Sequence, residues 1–147
     1  MLLEKYQNKR KFNKTSEPLG KVSKKNLFRF VVQKHQASHL HYDFRLEQDG
    51  VLKSWALPKG APEQAGIKRL AIQVEDHPVD YINFSGIIPK GEYGAGVVEI
   101  WDKGKWQLKS GSLESGSMKF NLDGKKLTGK YVLVRLKDKK NWLIYKN

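Results

Sequence analysis

Residues 33–47, QKHQASHLHYDFRLE, concentrate the side-chain types that bind metals and oxyanions. From His39 onward the sequence alternates: His39, His41, Asp43 and Arg45 hold one parity, and Leu40, Tyr42, Phe44 and Leu46 the other. A period of two over such a run predicts a half-buried β-strand. It sets two imidazoles, a carboxylate and a guanidinium in one row, with four apolar side chains packed behind them. Imidazole and carboxylate ligate divalent metals, and a guanidinium grips an oxyanion through paired N–H groups. A strand that merely shows its polar face to water is the plainer reading. Against it, three of the four histidines (His35, His39 and His41) fall within seven residues, with His77 the fourth. His35 ends a preceding run, FRFVVQKH, in which Arg29, Val31, Gln33 and His35 share parity. The short QASH segment folds or kinks that run beside the next, so a metal pocket lined by His35, His41 and Asp43 is the expectation.

The elements that must hold this row are short strands. They are expected near residues 27–34, 39–47, 51–57, 69–76, 95–101, 104–109, 117–122, 130–136 and 141–146. Gln48-Asp49-Gly50 predicts a hairpin between the second and third, because Asp-Gly accepts the positive φ of a tight turn. Asp138 to Asn141 should join the last two. Many short strands with almost no helical periodicity predict an all-β, mainly antiparallel fold, a closed or strongly curved barrel. In KRLAIQVEDHP, residues Ala71, Gln73, Glu75 and His77 share parity, and the strand delivers His77 at its end. Lys59 sits in the turn ALPKGAP, and PKGEYGAG reads as a tight turn because it lacks the spacing and terminal Lys-Ser/Thr of a phosphate-binding loop. Trp55, Trp101, Trp106 and Trp142 are expected to serve the core.

The 147 residues carry a net charge of +13 and suit one domain with a real core. Residues 1–25 hold eight Lys/Arg against two acids, 101–147 twelve against four, and 26–100 eight against nine. Basic flanks around a nearly neutral centre predict a polyanionic partner, nucleic acid being the commonest. Residues 1–25 read as an extended or loosely helical basic arm of the same domain as the barrel at 26–147, with a short helix over Glu4 to Lys11. Deleting residues 1–9 is expected to weaken binding modestly and spare the chemistry. No cysteine is present, so any metal sits on N and O ligands. With no signal-peptide core and no run of about 18 apolar residues, a soluble cytoplasmic protein without membrane contact is expected.

The run RFVVQKHQASHLHYDFRLEQDGVLKSWALPKG, followed by EDHPVDY and IPKGEYGAG, closely resembles the 3′-phosphoesterase domain of bacterial DNA ligase D, here as a stand-alone protein. The resemblance covers nearly the whole chain, including the KRKFNKTSEP arm. It implies a β-barrel with a surface active site, binding Mn²⁺ with Co²⁺ or Zn²⁺ as substitutes. It also implies an enzyme that removes a 3′-terminal ribonucleoside from a primer-template by phosphodiesterase action and then the remaining 3′-phosphate, leaving a 3′-OH. The implied setting is end joining, as a monomer, on duplex or primer-template ends, with a DNA ligase as partner. Carried over by position, the family's metal ligands fall on His35, His41 and Asp43. Its phosphate-contacting and catalytic side chains fall on Arg45, His77 and Tyr81. Arg10, Glu17, Gln33, Ser54, Lys59, Arg69 and Glu75 take supporting positions. On this view Arg45 and a cationic His77 neutralise the phosphate, His77 also transfers a proton, and Tyr81 holds a non-bridging oxygen. Two departures stand out: Lys11 where the family commonly has Asp, and His39 where it often has Arg, which makes His39 a rival ligand.

Two other classes fit parts of the pattern. His41-x-Asp43 with a distant His77 matches the two-histidine, one-carboxylate triad of Fe(II) oxygenases. A non-catalytic nucleic-acid-binding module would explain the charge alone.

Overall fold

A computed structural model describes residues 2–147. The chain runs α1 (Glu4–Asn8), β1 (Arg29–Gln36), β2 (Leu40–Gln48), β3 (Val51–Leu57), β4 (Lys68–Pro78), a 3-10 helix (Val79–Asn83), β5 (Gly86–Ile88), β6 (Gly96–Ser112), β7 (Ser117–Asp123), β8 (Thr128–Arg135) and β9 (Asn141–Lys146). Eight strands follow the order β1-β2-β3-β4-β9-β8-β7-β6, and β6 pairs back with β1 to close an antiparallel barrel. β5 adds to β6 alone. Closure leaves no long open edge among these eight strands.

The period of two divides the wall. Phe30 and Val32 of β1, Phe44 and Leu46 of β2, and Trp55 and Leu57 of β3 point inward with Trp106, Phe120, Tyr131 and Trp142. The opposite parity carries Val31 and Leu52 to the outer face, where Tyr6, Tyr81, Ile82, Phe84, Ile88 and Val98 build a second apolar cluster. Of the four apolar residues expected behind the β2 row, Phe44 and Leu46 are fully buried and Tyr42 packs at the edge of the core. Leu40 is 51% exposed, because it opens the strand beyond the end of the core. Trp101 is likewise only partly buried, set edge-on to Tyr42.

Both expected turns form. Asp49 (φ 56°) and Gly50 (φ 80°) make the two-residue link from Gln48 to Val51, which pair across it. Asp138 accepts the N–H groups of Lys140 and Asn141 while Lys139 takes a positive φ. The strands expected at 95–101 and 104–109 are one strand, β6. Asp102-Lys103-Gly104 resembles a turn but serves another one: Asp102 accepts the N–H groups of Lys125, Lys126 and Leu127 at 2.8–3.1 Å. Gly104 is required by close approach, since a Cβ there would lie 2.0 Å from the Asp123 carbonyl oxygen. β5 was not foreseen in the sequence; three residues are too few to show alternation.

β4 departs from its sequence parity. Ser54 faces Val74 and Leu52 faces His77, so Glu75 and Asp76 together oppose Lys53. This bulge turns His77 to the outer face, away from the inward parity of Ala71. The arm is also more tightly held than an extended tail. α1 is five residues long, and Leu3 and Tyr6 are buried. Tyr6 lies within the outer cluster, and its hydroxyl donates to the Pro18 carbonyl. The arm is therefore part of the packing, and removal of residues 1–9 would open that cluster. Tyr6→Ala should cost about 3 kcal/mol of stability, read as a lowered urea midpoint with unchanged slope. A loss below about 0.5 kcal/mol, the range of ordinary surface substitutions, would show that the arm is only laid on the barrel.

Candidate functional site

The outer face of β1 and β2 brings the predicted donors together. His35 and His41 are directly opposite in the β1–β2 register, and Asp43 lies two residues further along β2. His35 Nδ1 is 3.6 Å and His41 Nε2 3.4 Å from the same oxygen, Asp43 Oδ2. One ligand atom from each of the three residues lies within 4.8 Å of the others, a spacing that suits one ion. The remaining ring nitrogens are engaged by backbone: His35 Nε2 lies 2.7 Å from the Gly94 carbonyl and His41 Nδ1 3.1 Å from the His39 carbonyl. Each carbonyl accepts an N–H, which fixes the tautomer and turns the other nitrogen toward Asp43. The N₂O donor set suits a borderline divalent transition metal.

Asp43 is kept ionised. Burial pushes its carboxyl up, but the Arg45 guanidinium, with His35 and His41 beside it, holds it well below the usual carboxylate range. The hydrogen bond to Asp43 raises His41 against the opposing effect of burial. His39 is exposed, precedes β2 and contributes only its carbonyl, so its side chain does not rival the three donors.

Beside this cluster, Arg45 is buried. Its Nε donates to Gln33 Oε1 at 2.8 Å, its Nη2 lies 3.5 Å from Asp43, and its Nη1 has no protein partner. Gln33 in turn donates to the Tyr81 and Phe84 carbonyls, which fastens the guanidinium to the 3-10 helix. An unpartnered buried guanidinium N–H is costly unless an anion completes it.

His77 is buried in the pocket wall. Its Nδ1 donates to the Glu75 carbonyl at 2.9 Å, which leaves Nε2 as the acceptor facing Arg10 Nη2 at 3.4 Å. Burial, then Arg45 and Arg10, hold it well below the ordinary imidazole value. It is therefore neutral here, which corrects the expectation of a cationic imidazole. It is also not among the grouped donors: the two imidazoles and one carboxylate that converge are those of His35, His41 and Asp43, not the His41–Asp43–His77 set expected for an iron oxygenase.

The supporting residues divide. Arg10 Nε bonds Glu17 at 2.9 Å, and its Nη1 reaches the Tyr6 carbonyl and Glu75. Glu17 also accepts from Thr15 and, at 2.6 Å, from the Tyr81 hydroxyl. Burial and Glu17 push the Tyr81 hydroxyl well up, and its ring lies 4.9 Å under the Arg45 guanidinium. The proton of Tyr81 is thus committed to Glu17, so it steadies Arg45 and the arm. Ser54 donates to the Leu52 carbonyl, with His77 Nδ1 at 3.5 Å. Lys59 is exposed in the turn after β3, and Arg69 pairs with Ile144 on the core-facing side of β4. Neither lines the pocket of about 290 Å³ that holds His35, His41, Asp43, Arg45, His77 and Arg10.

A sequence model of the DNA ligase D 3′-phosphoesterase domain matches residues 33–135, the span that contributes every metal donor, Arg45, His77 and Gly94. The chain belongs to this phosphoesterase family. It is 53% identical over 139 residues to the multifunctional non-homologous end joining protein LigD of Pseudomonas aeruginosa, covering 90% of this chain and 16% of that protein. It is 44% identical over 152 residues to the protein of the same name from Mycolicibacterium smegmatis (96% of this chain, 20% of that protein). Against the multifunctional non-homologous end joining DNA repair protein LigD of Mycobacterium tuberculosis it is 43% identical over 148 residues (98% and 19%). The chain thus spans a fifth or less of the length of these relatives.

In this phosphoesterase chain the Gly94 carbonyl is the functional atom least visible beforehand. PKGEYGAG reads as a turn, and it is one, but Gly94 (φ 74°) aims its oxygen at His35. Thr15 and Tyr6 carry no periodic signal in the arm. The departure at Lys11 falls on an exposed side chain, whereas Arg10 next to it is 5% exposed and engaged.

Asp43 raises the His41 imidazole above its ordinary value, so as pH falls a proton on Nε2 competes with the metal for that nitrogen. Affinity for Mn²⁺ should therefore be flat at high pH and fall as pH drops through the raised His41 value, starting above the ordinary 6.5. Calorimetry in buffers of different ionisation enthalpy should show proton release there. His35→Ala should lower affinity at least tenfold and His39→Ala by less than twofold; the reverse ranking would move the ligand to His39.

Proposed function

We propose that this chain is a Mn²⁺-dependent nucleic-acid 3′-end phosphoesterase. It hydrolyses the diester to a 3′-terminal ribonucleoside and then the 3′-phosphate, leaving a 3′-OH for joining by a DNA ligase in the cytoplasm. The observation that carries the reading is the unpartnered Arg45 Nη1 in the same small pocket as the converging donors of His35, His41 and Asp43. A site with a cation seat beside an incomplete guanidinium suits a phosphate group. Names of the relatives that include end joining support the setting.

When bound to His35, His41 and Asp43, a divalent ion supplies Lewis-acid stabilisation to a phosphoryl oxygen. Arg45 supplies a fixed charge to a second oxygen, and it does so without reorganisation because Gln33 and Tyr81 already hold it. His77 meets substrate neutral. A phosphate paired with Arg45 offsets part of the positive field that, after burial, disfavours the imidazolium, so His77 takes a proton from solvent as substrate enters and Arg10 yields Nε2 to the substrate. Nε2 then donates that proton to the departing ribose oxygen as its P–O bond breaks; the attacking water forms the new P–O bond and loses its proton to bulk solvent, leaving a 3′-phosphate and neutral His77. His77 is engaged as the acid and the Tyr81 hydroxyl is committed to Glu17, which favours direct attack by water. Residues 1–25 and 26–147 act as one catalytic unit in this reading, since Arg10 of the arm faces His77.

The two steps make different demands. A dianionic monoester depends on charge, and a diester on protonation of its leaving nucleoside. His77→Ala should slow diester cleavage by 10²-fold or more, as for general acids, while Arg45→Ala lowers phosphate release more strongly, so that 3′-phosphate ends accumulate. Labelled duplexes ending in one ribonucleotide or in a 3′-phosphate separate the steps. Equal losses in both steps for both variants would remove this division of roles, and Mn²⁺-independent turnover would remove the metal mechanism.

A further inference from the structure

A second depression, about 840 Å³, adjoins the phosphate pocket and shares Val74, Glu75 and Tyr93 with it. Its volume is nearly three times that of the pocket, too much for a terminal phosphate alone. The floor is the outer face of β4. One bank is α1 and the residue following it, with Lys5 and Lys9; the other is the turn before β9, with Lys139 and Lys140. These lysines come from the two basic flanks, more than 120 residues apart in the chain, and all four are exposed. The far bank is fixed by backbone, because the Gln73 N–H donates to the Lys140 carbonyl at 2.9 Å. Among the acids along the groove, Glu75 is engaged by Lys9 and Arg10, and Asp76 by Lys53. Lys5, Lys139 and Lys140 therefore give the surface a positive sign against Glu4.

Tyr93 stands where groove and pocket meet. It is 47% exposed, and its ring is flanked by Lys9 Nζ at 4.9 Å and the Arg10 guanidinium at 5.2 Å from its centroid. A half-exposed aromatic ring among cations beside a phosphate pocket is the composition of a single-strand track, in which lysines follow phosphates and rings stack on bases.

We infer that the β4 groove carries the last nucleotides, unpaired from the complementary strand, of the strand whose 3′ phosphate lies in the pocket, with Lys139 and Lys140 on its phosphates and Tyr93 stacked on a base. This rests on the end-processing reading for which phosphate enters the pocket, but the groove itself is tested by binding alone. The probe is a short fluorescein-labelled single-stranded DNA with a 3′-phosphate, titrated by anisotropy with EDTA present so that no turnover occurs. Lys139→Ala/Lys140→Ala should raise Kd about tenfold and reduce the slope of log Kd against log salt by about 1.4, two phosphates at about 0.7 each. Tyr93→Ala should weaken binding about tenfold, and Tyr93→Phe should restore it, because stacking needs the ring and not the hydroxyl. Lys109→Ala/Lys119→Ala, on a separate cleft of β6 and β7, should bind as the parent does. Parental affinity in the groove variants, equal losses in the control, or no binding by the parent would overturn the inference. A parent that binds in this pattern yet hydrolyses no 3′ end would instead retain the groove and overturn the enzymatic reading.

Discussion

One carboxylate oxygen organises the outer face of the barrel. Asp43 Oδ2 lies 3.6 Å from His35, 3.4 Å from His41 and 3.5 Å from Arg45. A buried carboxylate is tolerated only with compensating charge and donors. Asp43 therefore obliges the β1–β2 pair to supply both an imidazole on each side and a guanidinium. The same demand propagates outward. Arg45 needs Gln33 and the Tyr81 ring, Tyr81 needs an acceptor in Glu17, and Glu17 needs Arg10. Each buried polar group is thereby answered by the next as far as Arg10 of the arm, and the group left over is Arg45 Nη1, which no protein atom answers.

That sequence of obligations explains why a polar arm packs as though it were core. The arm has few apolar residues, yet Tyr6 and Glu17 are both nearly inaccessible to solvent. Tyr6 seals the ring edges of His77 and Tyr81, with centroids 5.0 and 5.9 Å away. The seal covers these rings on the side of the arm, and a low-dielectric setting strengthens the charge interactions beside it. The closed barrel contributes rigidity from behind: Phe44 and Trp55 lock the strands whose outer faces hold the polar groups.

The β2 row was legible because His41, Asp43 and Arg45 repeat at the strand period, and the hairpin because Asp49-Gly50 has a definite backbone requirement. His35 could be joined to them from parity and a short connection. Other features had no local signature. His77 carries the parity of Ala71 in the sequence but not in the fold, because the pairing of β3 with β4 slips by one residue. Asp102-Lys103-Gly104 looks like a turn although its turn is elsewhere, at residues 125–127. The roles of Tyr6, Thr15 and the Gly94 carbonyl depend on contacts between residues far apart in the chain, which no window of sequence displays. Arg69, assigned by resemblance alone, lies on the core-facing side of β4, and Lys59, read from the sequence as a turn lysine, is exposed after β3; the pocket reaches neither.

The slip in β4 also sets how this domain can tolerate change. Sequence length between two strands is usually a matter of slack, and a residue gained or lost in a loop is absorbed there. Between Val74 and His77 length is a matter of phase. Removing Glu75 or Asp76 would erase the bulge, leave one residue opposite Lys53 and keep His77 opposite Leu52 on the outer face. What would be lost is a carboxylate, either the tie of Glu75 to Lys9 and Arg10 or that of Asp76 to Lys53. The damaging change is to straighten the strand at unchanged length: with a single residue opposite Lys53, the imidazole would turn to the face lined by Trp55 and Trp142, and the sheet has no intermediate position between the two faces.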